Sequence, residues 1–192
     1  IPDYRKVPDV LFPAFLDDGA EAVAWTQNNI AQYGGDPKRL AFMGHSAGAY
    51  QAIMLALDSK RLVAAGADPA NVTAAVGLSG PYDFYPFDKP RSIAAFSKWP
   101  RPDETQPIAF ARADAPPLLL VTSEGDETVR PKNANNLAAK LRENLRLRKA
   151  QALPLSHRPR CCSPASSRPI CASTLAIAAF TWRESGPYSW PS

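Results

Sequence analysis

The sequence predicts an α/β domain, a mostly parallel sheet with helices on both faces. Three observations lead there. Short, unbroken apolar runs recur at Leu40-Ala41-Phe42-Met43, Ala74-Ala75-Val76-Gly77-Leu78 and Pro117-Leu118-Leu119-Leu120-Val121-Thr122. Runs this brief, without alternation, read as strands buried on both sides. Helix-forming segments separate the runs, the order expected of parallel strands joined by crossovers. Each run closes on a cluster of turn residues: Gly44-His45-Ser46-Ala47-Gly48, Ser79-Gly80-Pro81-Tyr82-Asp83 and Gly125-Asp126-Glu127.

Along the chain, Phe12 to Tyr33 reads as one long helix, with Pro13 in its tolerated first turn and Gly34-Gly35 as its stop. Asp17, Asp18 and Glu21 sit early in it, where the helix dipole favours acids. Gly34-Gly35-Asp36-Pro37 turns the chain into the first strand, 40–43. An Ala-rich helix over 46–57 comes at once after it. The second strand, 74–78, leads into 84–113, which has no clean period and reads as an irregular excursion with a short helix or two. The third strand, 117–122, is followed by a helix over 132–144. After Asn144 the composition changes: residues 145–192 hold six prolines, eight serines and six arginines, with a weak strand pattern near 151–155 and a helical stretch from Thr174 to Arg183. The predicted organisation is a core over 1–144 and a Pro/Ser/Arg/Cys-rich tail over 145–192.

Composition sets the outer limits. A chain of 192 residues, 45% hydrophobic and 21% charged, is one domain with a core that needs no disulfides. No apolar run reaches the roughly 18 residues of a bilayer span, and no charged-then-apolar leader opens the chain, which begins at Ile1 and reads as a fragment. The net charge of +4 is uneven, −2 over residues 1–144 and +6 over 145–192. The excess therefore lies outside the predicted core, and nucleic-acid binding is not expected. Cys161, Cys162 and Cys171 are odd in number and lack zinc-type spacing, which reads as free thiols in a reduced, cytoplasmic compartment. Neither a metal nor an organic cofactor is expected.

The chemistry concentrates at Gly44-x-Ser46-x-Gly48. About 0.06 such pentads are expected by chance in a chain of this length, and this one sits between a predicted strand and a predicted helix. A serine on so sharp a turn has neighbours that must be small, its hydroxyl stands above the sheet, and the N–H of Ala47 is free for a developing oxyanion. A serine nucleophile needs a base, and the base needs an orienting acid. Of the two histidines, His45 lies inside the turn, where its ring is expected to pack, which leaves His157. Asp126 comes just after the third strand, where catalytic groups of open parallel sheets gather. Glu124 and Glu127 compete for its role, and a plain turn cap remains open for Asp126.

These residues resemble the α/β-hydrolase superfamily, in its esterase/lipase branch with hormone-sensitive-lipase-like and feruloyl-esterase-like members. The matching text is Tyr4-Arg5 with Phe12-Pro13, Asp17, Trp25, Tyr33-Gly34-Gly35-Asp36-Pro37, Gly44-His45-Ser46-Ala47-Gly48-Ala49, Ser79-Gly80-Pro81-Tyr82-Asp83 and Gly125-Asp126-Glu127-Thr128-Val129. The resemblance implies Ser46 as nucleophile, Asp126 as acid, His157 as base and Ala47 as an oxyanion donor, in the chain order of that fold. It implies a small-molecule ester substrate and an acyl-enzyme intermediate. It also implies a partial fold, since the family's His-Gly-Gly oxyanion loop and first strands would precede Ile1.

The family's end carries a strand, then Gly-His, then an apolar helix. Arg158-Pro159-Arg160-Cys161-Cys162 cannot form that helix, and codons for this stretch can be chosen to spell family-like text one base on. An out-of-frame tail would make His157 a coincidence of position, so both readings of His157 stand open. The alternatives to a working esterase are an impaired or inactive remnant of the fold and an arylformamidase-like amide hydrolase.

Overall fold

A computed structural model describes residues 1–152 and 177–182. Its centre is a four-stranded sheet of β1 (Leu40–His45), β2 (Val72–Leu78), β3 (Leu118–Ser123) and β4 (Ile177–Trp182), in that spatial order, with every adjacent pair parallel. The three strands expected from the sequence are thus neighbours running in one direction. Phe42 lies opposite Ala75 and Ala75 opposite Leu118; at the other end His45 pairs with Leu78 and Leu78 with Val121. This register brings the residues after β1, β2 and β3 to one edge of the sheet, the edge where open α/β sheets bind ligands.

Helix α1 (Ala14–Asn29) ends in a 3₁₀ turn, Ile30–Tyr33, and Gly34 stops it with φ 81°. Then come α2 (Ala47–Leu57), a short α3 (Lys60–Ala64), α4 (Pro90–Phe96) and α5 (Lys132–Ala152). Side chains alternate across the sheet. Phe42, Ala75, Leu118 and Leu120 share one face, packed with Ile53 and Leu57 of α2 and Leu137 and Leu141 of α5. Helix α1 joins them through Phe15, Leu16, Ala20 and Ala24, which cluster with Tyr50, Met54 and Leu55 of α2 and Leu62 of α3. Each fully buried Leu or Ile contributes about 1.5–3 kcal/mol of transfer free energy, so this face holds the sheet together.

Helices on both faces are the expectation from sequence, yet among the described residues α1, α2 and α5 all pack on this one. On the opposite face Met43 is 71% exposed, Ala41 and His45 are exposed, and Val76, Leu119 and Val121 are only half-buried. The apolar runs record the chemistry of both faces without saying which helix covers which. His45 therefore does not pack as expected; it points to the open face with Ala41 and Met43.

The excursion over 84–113 holds α4 and two 3₁₀ turns, Pro102–Thr105 and Pro107–Phe110. It is anchored by aromatic rings: Phe96 lies 5.7 Å from Phe12, 5.7 Å from Phe15 and 5.4 Å from Tyr50, centroid to centroid.

Two further differences concern the tail. Helix α5 continues past Asn144 to Ala152, across the expected boundary at 144. Leu145-Arg146-Leu147-Arg148-Lys149-Ala150 are good helix formers, and cations suit a helix C-terminus. The helix expected over 174–183 gives way to strand over Ile177–Trp182, paired from Leu118↔Ile177 to Ser123↔Trp182. Six apolar and β-branched or aromatic residues do not distinguish the two states by period; pairing with β3 decides between them. The remainder of the expected strand near 151–155, His157 and the three cysteines lie outside the described residues. Among the described residues no helix is long and apolar enough to cross a membrane.

Candidate active site

Ser46 is the single residue between β1 and α2, with φ 53° and ψ −117°. A non-glycine residue at positive φ is uncommon and strained, and such outliers persist where their surroundings over-determine them. Here the surroundings are explicit. The Ser46 N–H donates to the Leu78 carbonyl at 2.8 Å, and its carbonyl accepts from the Tyr50 N–H at 3.0 Å. The turn is so tight that a Cβ on Gly44 would lie 2.6 Å from the Ala49 nitrogen and nearer still to the Gly48 carbonyl. At Gly48 an added Cβ would meet nothing within 4 Å. Small residues are expected on both sides of the serine; the geometry of the described residues requires one only at Gly44.

A serine before a helix ordinarily caps it through its hydroxyl. Ser46 makes no such side-chain bond, which leaves Oγ available. Ala47 is the first residue of α2, so its N–H precedes the intrahelical ladder that begins at Tyr50. The helix dipole adds positive potential at the same point.

Asp126 lies on the loop between β3 and α5, at the same sheet edge as Ser46. Its Oδ1 accepts from the Thr128 N–H at 3.0 Å and the Val129 N–H at 2.8 Å, and its own N–H donates to the Ser123 carbonyl at 3.2 Å. Asp126 is half-buried, whereas Glu124 and Glu127 are exposed. One strand, β2, separates β1 from β3, so the strand ends that carry the two residues are about 10 Å apart at ordinary strand spacing. His157 lies outside the described residues.

Residues to which the sequence assigns no role occupy the middle of this edge. Ser79, just past β2, has φ 47°, and its N–H donates to the Val121 carbonyl at 2.8 Å, repeating the backbone arrangement of Ser46 one strand along. The loop beyond it is held by two buried amide side chains, Gln106 and Asn133. The Ser79-Gly80-Pro81 turn was a signal for the first; nothing local marks the other two. Tyr50, one turn into α2, donates its hydroxyl to the Thr105 carbonyl at 2.9 Å, and burial pushes its pKa far above the ordinary range. It stays a protonated donor that ties α2 to the excursion. Among the described residues no group of three or more His, Cys, Asp or Glu side chains is placed to hold a metal.

The BD-FAE family model matches residues 1–141. Esterase LipQ of Mycobacterium tuberculosis is 30% identical over 165 residues, covering 73% of this chain and 37% of that protein. The probable carboxylic ester hydrolase LipM of the same organism is 30% identical over 157 residues, covering 73% and 36%. The chain thus spans just over a third of these relatives' length. Among solved structures, a truncated carbohydrate esterase from gut microbiota superposes with a TM-score of 0.64 at 20% identity, over 74% of this chain and 60% of that one. Thermogutta terrifontis esterase 2, phosphorylated by paraoxon, gives 0.64 at 17% identity, over 94% and 56%.

Proposed function

The chain belongs to the BD-FAE family and has an α/β-hydrolase fold, and from that premise we propose that it is a serine hydrolase of carboxylic esters acting through an acyl-enzyme. The observation that carries the reading is Ser46 itself: a serine at φ 53° between a parallel strand and a buried helix, its hydroxyl unused by the helix it precedes. The names of the sequence relatives, an esterase and a probable carboxylic ester hydrolase, support esters as the substrate class.

In this mechanism Ser46 Oγ attacks the ester carbonyl carbon while a general base takes the hydroxyl proton. The carbonyl π pair moves onto oxygen, and the oxyanion accepts from the Ala47 N–H at the head of α2. Collapse of the tetrahedral intermediate breaks the carbon–alkoxy bond, the base returns its proton to the leaving alcohol, and Ser46 holds the acyl group as an ester. Water, deprotonated by the same base, reverses the sequence and releases the acid. His157 is the candidate base, and Asp126, pinned by its loop, orients it.

The test is hydrolysis of a short-chain aryl ester by the chain and by Ser46→Ala. Triad members act as a unit, so the variant is expected to lose nearly all turnover; retention of more than about a tenth of the rate would assign another nucleophile. His157→Ala beside His45→Ala separates the two histidines: the first is expected to abolish turnover and the second to leave it near the unmutated rate.

A further inference from the structure

Between the nucleophile and the acid loop, along the same sheet edge, runs the segment that leaves β2. Its four successive backbone N–H groups, Tyr82 to Tyr85, are taken by two side-chain carbonyls. Asn133 Oδ1 accepts from Tyr82 at 2.9 Å and Asp83 at 2.8 Å; Gln106 Oε1 accepts from Phe84 at 2.7 Å and Tyr85 at 3.1 Å. Both amides are buried, 5% and 4% exposed. Two donors saturate an amide oxygen, and turning the Asn133 amide over would set its NH₂ against two N–H groups, so the network itself fixes its orientation.

Asn133 also faces the acid loop. Its Nδ2 donates to the Arg130 carbonyl at 3.1 Å, and its backbone N–H donates to the same carbonyl at 3.0 Å. Arg130 closes the loop that carries Asp126. A second tie runs parallel to it, Asn136 Nδ2 to Asp83 Oδ2 at 2.6 Å. On the far side the segment reaches the nucleophile's helix: the Phe84 ring lies 5.9 Å from that of Tyr50, and the Tyr50 N–H holds the Ser46 carbonyl. A continuous path of packed and hydrogen-bonded groups thus links Asp126 to Ser46, and Asn133 is where it crosses between loops.

We propose that Asn133 is a positioning residue, which sets the separation of the acid loop and the nucleophile through the backbone of Tyr82 and Asp83. It touches no substrate in this role. The proposal rests on the serine-hydrolase reading above. A misplacement of about 1 Å in a catalytic constellation is enough for large losses of rate, whereas an amide that only stabilised the fold would alter melting and leave the turnover of the folded fraction unchanged.

The experiment measures kcat and KM for p-nitrophenyl acetate per folded molecule in the 192-residue chain and in Asn133→Ala and Asn133→Asp. Mass spectrometry meanwhile identifies the residue modified by a fluorophosphonate probe. Asn133→Ala is expected to lower kcat at least about tenfold with KM within about twofold. Asn133→Asp keeps the acceptor for Tyr82 and Asp83 but loses the Nδ2 donor and turns a carboxylate oxygen toward the Arg130 carbonyl, so it is expected to recover only part of the lost kcat. Should Asn133→Ala fail to fold, Asn133→Asp decides, because it removes the Nδ2 bond to Arg130 and keeps the acceptor for Tyr82 and Asp83: a severalfold fall in kcat at unchanged KM supports the proposal. Unmutated kcat in folded Asn133→Ala, or in Asn133→Asp where that variant decides, overturns it while Ser46 is still labelled. Absence of both turnover and Ser46 labelling in the unmutated chain overturns the serine-hydrolase reading and this proposal with it.

Discussion

The two loops that make up the candidate site solve one problem in opposite ways. Each carries the chain from a parallel strand into a helix, at the same edge of the same sheet. The connection after β1 is Ser46 alone; the connection after β3 runs from residue 124 to 131. Ser46 is placed by backbone sterics. Gly44 lets the start of α2 approach within a distance no side chain permits, and α2, buried from Ala49 to Leu57, has nowhere to retreat. Asp126 is placed by its own carboxylate, which closes the turn on Thr128 and Val129 in a loop that is otherwise mostly exposed. One site draws its geometry from the core, and the other from two hydrogen bonds and the tie through Asn133. A strained backbone persists only in rigid surroundings; a turn carboxylate needs only a defined direction, which a few bonds supply.

That contrast makes the elbow the steeper place to intervene. Gly44→Ala is expected to cost more than about 3 kcal/mol, at or above the usual range for overpacking, because the atoms it meets are backbone. A urea midpoint unchanged by this substitution would show that close packing at Gly44 does not hold the Ser46 turn. In the acid loop Asp126→Ala is expected to cost only about 1 kcal/mol, the ordinary value of such local bonds, while removing most ester turnover. Asp126→Asn sharpens the distinction. Its side-chain oxygen still accepts from Thr128 and Val129, so stability is expected to hold within about 0.5 kcal/mol, yet turnover should fall by orders of magnitude for want of the charge. A large stability loss in Asp126→Asn would show that the carboxylate has a structural role beyond the turn. The smallest effect belongs to Gly48→Ala. With open space around its Cβ and a position in the first turn of α2, the change is expected to be neutral or to stabilise by up to about 1 kcal/mol through helix propensity. Equal destabilisation at positions 44 and 48 in thermal melts would mean that the asymmetry between the two glycines is not real.

The difference between the loops also explains which parts of the site are legible in the sequence. The elbow is a local steric device, so it appears as five consecutive residues flanked by an apolar run and an Ala-rich segment. Asp126 is legible because its turn is local too, with acceptor and donors two and three residues apart. Asp126 is set apart from Glu124 and Glu127 by its burial and by the two loop N–H groups its Oδ1 accepts. Asn133 and Gln106 are invisible at that level. Their partners lie 21 to 51 residues away, and an asparagine in a helix's first turn looks like any other polar helix-start residue. His45 shows the opposite failure: its place inside a motif suggests that it packs, and the alternation of β1 turns it to the open face instead.

What neighbours along the chain impose on one another is legible in their order alone: three apolar strand runs, the helices that flank them, the sharp turn at Ser46 and the closed turn at Asp126. Each is set by sterics or hydrogen bonds spanning a few residues, and those leave a pattern in the order of the amino acids. The tertiary structure decided the rest. It put α1, α2 and α5 on one face of the sheet, made strand of Ile177–Trp182 by pairing it with β3, and set Asn133 and Gln106 under the segment that leaves β2. The physical reason is common to all three. An apolar run states that it will be buried and a polar side chain that it will be bonded, but the partner is chosen by which surfaces and unpaired groups the folded chain brings within reach.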